Sequence, residues 1–174
     1  MFAALCSPLK RMGLHVALTR FRNGAAAPIE PEALARVTEA ARAVAAEDPA
    51  GVSVTASDNG GIRLTLGDAD GNLGTAGGDF RLTELTVTAL ELIFRLAQVA
   101  DLTIVHTPGG EGERAGEADN WILTSDAQRA HLPAAGPGAA ETVVCESVAE
   151  LCALLRGGVG EWKKFREMIA SGEF

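Results

Sequence analysis

The chain has 174 residues, 47% of them hydrophobic, which suits one globular domain with a real core and excludes a disordered chain. No apolar run reaches the ~20 residues that a transmembrane helix needs. Residues 1–22 hold four bases and no acid, so the net charge of −8 becomes −12 over the rest, a body that phosphate backbones would repel.

Structure-like sequence begins at Met12, and residues 1–11 read as an N-terminal extension of a single domain over 12–174. Met1 to Cys6 is too short for the hydrophobic region of a signal peptide, and its charges follow it instead of preceding it. Leu14 to Phe21 alternates as a first strand. Asn23-Gly24 and the alanine run to Pro28 read as a loop. Pro31 then opens a helix, with Glu30 and Glu32 at its positive end, that closes near Asp48-Pro49. Val52–Ala56 and Ile62–Leu66 alternate on either side of Ser57-Asp58-Asn59-Gly60-Gly61, which predicts a hairpin. Gly67 to Asp79 is dense in Gly, Asp and Asn and reads as a loop or wide turn.

Leu82 to His106 organises the rest. Leu82, Leu85, Ala89, Leu90, Ile93, Leu96, Ala97 and Ala100 recur at helical spacing, with Thr83 as the expected cap, and Leu102 to Val105 follows as a buried strand. Trp121 to Thr124 reads as the strand returning beside it, and Ser125 caps a short turn through His131. Thr142 to Cys145 is another strand. Ser147 and Glu150 then form a capping box for a helix that Gly157-Gly158 ends. Glu161 to Ile169 is a last short helix, with Trp162, Phe165 and Ile169 on one side and Lys163, Lys164 and Arg166 on the other. The expected fold is therefore α+β: a mixed or antiparallel sheet, a long central helix, and C-terminal helices packed on it.

Chemical motifs are sparse. Asp68, Asp70, Asn72 and Asp79 match part of a calcium loop, but Leu73 stands where the sharp turn wants glycine, so a solvated turn is the stronger reading. His15, His106 and His131 show no metal-ligand spacing, and Cys6, Cys145 and Cys152 no CxxC. No metal and no cofactor is expected. Three such cysteines fit a reducing, cytoplasmic compartment. The glycine pairs lack a following Lys-Ser/Thr, so they read as turns and caps. Lys163, Lys164 and Arg166 on one short helix, between Glu161 and Glu167, fit a core-capping helix better than a membrane surface. The strongest candidate is Thr107 to Asn120, where Glu111, Glu113, Glu117 and Asp119 outweigh Arg114 to leave −3 over fourteen residues. Carboxylates there suit a basic protein partner, with Trp121 beside them as an anchor. The plainer alternative is a solvated loop with Trp121 in the core.

The segments Met12-Gly-Leu-His-Val-Ala-Leu-Thr-Arg20 and Leu82-Thr-Glu-Leu-Thr-Val-Thr-Ala-Leu-Glu-Leu-Ile-Phe-Arg-Leu-Ala97 give the chain its resemblance to bacterial immunity proteins encoded beside secreted toxins. The resemblance is one of general style and brings no binding residue with it. It implies a non-enzymatic protein that binds a toxin and occludes its active site, without nucleic acid or membrane. Two alternatives stand beside it. One is an enzyme or small-ligand binder with a site assembled from scattered residues such as His106, Cys145 and Asp126. The other is an assembly subunit that pairs through an exposed strand edge.

Overall fold

A computed structural model of the chain describes residues 14–47, 52–57, 61–66, 69–83, 85–106, 120–134 and 141–172. Its centre is an eight-stranded mixed sheet with helices on one face, the expected α+β domain. In chain order the strands are β1 (Leu14–Thr19), the short pair β2 (Phe21–Arg22) and β3 (Ala25–Ala26), β4 (Val52–Ala56), β5 (Ile62–Leu66), β6 (Ala69–Gly74), β7 (Gly77–Leu82), β8 (Thr103–His106), β9 (Asn120–Leu123) and β10 (Thr142–Val144). The helices are α1 (Pro31–Glu47), α2 (Val87–Ala100) and α3 (Val148–Ser171), with a 3-10 turn at Asp126–His131. The sheet runs β10-β9-β8-β1-β7-β6-β5-β4, and only the β10–β9 pair is parallel. Thus β1 lies in the middle, flanked by strands that follow it much later in the chain.

The hairpin of β4 and β5 forms as expected, in a regular register from Val52↔Leu66 to Ala56↔Ile62. Asn23 and Gly24 both take positive φ, at 51° and 79°. They make a two-residue hairpin turn between β2 and β3, not the expected loop, because this backbone twist matches that of the strands.

Two further expectations are corrected. The supposed wide turn at 67–79 is largely a second hairpin, β6 and β7, paired from Asp70↔Arg81 to Gly74↔Gly77. Gly71 is accommodated in the strand because a neighbour takes up the space of the missing side chain: the Phe80 ring lies directly over it. Leu82 consequently ends β7, and the central helix starts at Val87 instead. Its cap is Thr86, whose hydroxyl accepts from Ala89 N at 3.2 Å, and not Thr83. Leu82 fits both a helical stripe and the alternation Phe80-Leu82, and pairing on both sides of β7 decides for the strand.

A single core joins the sheet to all three helices. α2 packs against α1 on one side and α3 on the other. Leu92 and Phe94 are therefore buried along with its main stripe, leaving Glu91, Arg95 and Gln98 exposed. Asp101 closes α2 in the left-handed region and holds Arg22 at 2.6 Å.

At the C-terminus, Ser147 Oγ accepts from Glu150 N, one half of the expected capping box, while the Glu150 carboxylate reaches back to Glu146 N, one residue before the cap. Gly158, at φ 67° and ψ −165°, kinks α3 where the sequence predicts a stop. That backbone region is essentially restricted to glycine. The buried Glu150 carboxylate accepts from Trp162 Nε1 across the kink at 3.4 Å and from Glu146 N on its own side at 3.1 Å. Phe165 is buried as expected, but Ile169 is 49% exposed, beyond the reach of the core.

Candidate functional site

The face of the sheet away from the helices is open and polar over β4–β7 and apolar towards β9. Alternation and register align its side chains into rows. One row runs Thr55, Arg63, Asn72, Asp79, Ala17, Val105, Trp121 and Thr142. The next runs Ser53, Thr65, Asp70, Arg81 and His15. Arg63 Nε donates to Asn72 Oδ1 at 3.3 Å, and His15 Nε2 lies 3.2 Å from Asp79. Near the β6–β7 turn this face dips into an open depression of about 510 Å³, lined by Arg63, Asn72, Asp79 and turn backbone. Asp70, Asn72 and Asp79, which the sequence offers as a calcium-like pattern or a solvated turn, are strand residues of this face. The alternation of Asp70 and Asn72 with Gly71 and Leu73, and of Asp79 and Arg81 with Phe80 and Leu82, was the available signal.

At the other end, Trp121 is half-buried and stacks on Phe21, with ring centroids 5.6 Å apart and planes at 26°. It therefore stands between the two readings the sequence offered: it belongs to an aromatic pair on the open face, not to the helix-side core. The 3-10 turn packs against β9, whose Leu123 is fully buried. Gln128 ties that turn down: its Oε1 accepts from Thr124 N and Ser125 N, and its Nε2 donates to Leu102 O. Gly24 N in turn donates to His131 O, which fixes the β2–β3 hairpin, and Phe21 with it, against the turn.

The carboxylates expected to bind a partner, Glu111, Glu113, Glu117 and Asp119, lie outside the described residues, and so does Asp68 of the calcium-like pattern. Their segment leaves the sheet at His106 and returns at Asn120, which are directly paired, next to Trp121.

His106 and Cys145 do not converge. Val105, Trp121 and Thr142 share a row. His106 lies one step beyond that row and Cys145 three steps in the opposite direction, which at ~3.3 Å per residue is roughly 13 Å along the strands, with β9 between. Asp126 is engaged elsewhere, with Arg129 at 3.1 Å. Among the described residues no group of three or more His, Cys, Asp or Glu is arranged to hold a metal ion. Among them also, no helix is long and apolar enough to cross a membrane. Lys163, Lys164 and Arg166 pair with Glu141, Glu161 and Glu146, so the basic face of α3 is largely neutralised by its own chain.

Cys145 is fully buried and donates to Ser147 O at 3.1 Å. Burial pushes its thiol from 9.0 up to about 12. A thiol that stays protonated is a poor nucleophile. Iodoacetamide at pH 8 should therefore leave the Cys145 peptide unmodified in the native protein and alkylate it in urea, as read by peptide mass. The sign of the pH effect follows from the raised value. Native protein keeps this proton while unfolded protein loses it, so the contribution is complete below pH 9.0 and declines as pH rises towards about 12. Melting temperature should fall more steeply above pH 9 in the wild type than in Cys145→Ala. Equal slopes would contradict the assignment.

No family model, no curated protein and no solved structure matches this chain.

Proposed function

We propose that this chain is a cytoplasmic binding protein of the immunity type, which neutralises a basic protein partner, a secreted toxin or effector, by covering its active site. The observation that carries the reading is the distribution of charge. The described residues hold 14 of the 23 acids and 12 of the 15 bases, so they are within two charges of neutral. Residues 107–120 alone carry −3, and both ends of that segment are fixed to adjacent strands beside the Phe21–Trp121 stack. Of the nine acids outside the described residues, four fall in this one segment between β8 and β9. Such an arrangement steers a basic partner and sets its orientation, while a flat aromatic pair supplies apolar contact. The mechanism is occlusion, with no bond made or broken. The buried Cys145 thiol, outside any disulfide, supports a reducing compartment. The small-ligand alternative has the polar depression at the β6–β7 turn in its favour.

The test is capture by the tagged full chain from lysate of the source organism at about 50 mM salt, where surface charges are weakly screened. A variant with Glu111→Gln, Glu113→Gln, Glu117→Gln and Asp119→Asn serves as the control. The wild type should retain a basic protein and the neutralised variant roughly a tenth as much or less. One equivalent of wild type should abolish the activity of that purified partner. Capture indifferent to the four substitutions, or a partner that stays active when bound, would overturn the proposal.

A further inference from the structure

We infer that the outer edge of β4 pairs with the same edge of a second copy of this chain, antiparallel about a two-fold axis at Val54, so that one sheet runs through both molecules. The inference stands apart from the acidic segment, which joins β8 to β9 in the other half of the sheet.

β4 is the last strand of the sheet, and among the described residues β5 is its only ladder partner. Its register is regular over all five residues, without a bulge. An open edge of this kind presents a row of backbone donors and acceptors, and monomeric proteins usually blunt it with Lys, Pro, a bulge or a very short strand. Val52-Ser-Val-Thr-Ala56 carries no charge and no proline, and Ser53, Thr55 and Ala56 are exposed. The opposite edge differs. β10 has three residues, and Glu141 just before it is held by Lys163 of α3 at 2.8 Å.

The edge sequence matches itself under a two-fold. Centred on Val54, antiparallel pairing sets Val54 against its copy on the helix side. It sets Ser53 against the copy's Thr55 on the open face, so hydroxyl meets hydroxyl and β-branched residue meets β-branched residue, both favourable cross-strand pairs. The helices above agree in charge. Contacts order them α3, α2, α1, with α1 on β4, so α1 is the helix nearest the edge. Its exposed Glu32, Arg36, Glu39 and Arg42 alternate in sign at three- and four-residue spacing. The exposed surface of α1 thus carries no run of like charge that would hold two copies apart.

Sedimentation equilibrium of the full chain between about 1 μM and 1 mM tests this over the range of weak to moderate dimers. The wild type should show a reversible monomer–dimer equilibrium. Ser53→Lys with Thr55→Lys sets lysine against lysine in both pairs and should weaken the dimer about tenfold or more. Ser53→Lys with Thr55→Glu sets opposite charges across the axis and should restore association to the wild-type level. Both positions are exposed, and circular dichroism melts check that each variant keeps its fold. A wild type that stays monomeric overturns the proposal. So does a double-lysine variant that dimerises as the wild type does, or a Lys/Glu variant as weak as the double lysine.

Discussion

Phe80→Ala is expected to destabilise the fold by about 3–5 kcal/mol and Gly71→Ala by about 1–3 kcal/mol, yet the two together should cost clearly less than their sum. Phe80 is 0% exposed and its cross-strand partner is Gly71. A Cβ on Gly71 would stand 2.1 Å from Phe80 Cδ1 and 2.6 Å from Cε1, so the ring occupies the volume that any side chain there would need. Alanine at 71 forces the ring outward into a close-packed layer of Leu73, Leu82 and the helices. Once the ring is gone, the new methyl fills part of the space it leaves, and the penalty for Gly71→Ala should shrink towards zero. A coupling of about 1–3 kcal/mol is the expected size for residues in direct contact. Urea denaturation of the four proteins measures it from the midpoints, provided the slopes agree. Strict additivity would mean that the ring does not lie over Gly71.

The same pair shows where sequence reading reached its limit. Glycine and aspartate are depleted in strands because they give up packing and backbone entropy, and 67–79 is dense in both. The argument fails when a cross-strand aromatic takes up the missing volume, and that partner is known only once the register is known. By contrast, α1, the hairpin of β4 and β5 and the caps at Ser125 and Ser147 were legible, since each is settled by residues within a few positions of one another. The aromatic stack was not. Phe21 and Trp121 are separated by most of the chain, and they meet because β1 inserts between β7 and β8. The rows of the open face depend on the same insertion: Asp79 and Val105 are neighbours of one residue, Ala17, that long precedes both. Sequence located the acidic segment by composition alone. The fold adds where its two ends are held, and that the described residues are nearly balanced in charge.

Gln128→Ala should carry the other large effect, about 3 kcal/mol or more, because one buried amide serves three backbone groups. Its side chain, in a residue only 4% exposed, accepts from Thr124 N at 2.8 Å and Ser125 N at 3.2 Å and donates to Leu102 O at 3.1 Å. Truncation strands two donors and one acceptor, each worth about 1–3 kcal/mol when buried without a partner, less where water enters. The damage should spread in a defined direction. The turn loses its tie to the start of β8, the Gly24–His131 link goes with it, and Phe21 is no longer held on Trp121. In a Trp162→Phe background, where Trp121 is the sole indole, its emission should shift to the red and acrylamide should quench it more strongly. Gln128→Glu keeps the two acceptor bonds and loses the donor to Leu102, so it should fall between wild type and alanine in both stability and quenching. Quenching unchanged in Gln128→Ala would mean that the aromatic pair is held by the β2–β3 hairpin alone. The site's rigidity would then derive from the Asn23–Gly24 turn and not from the buried amide.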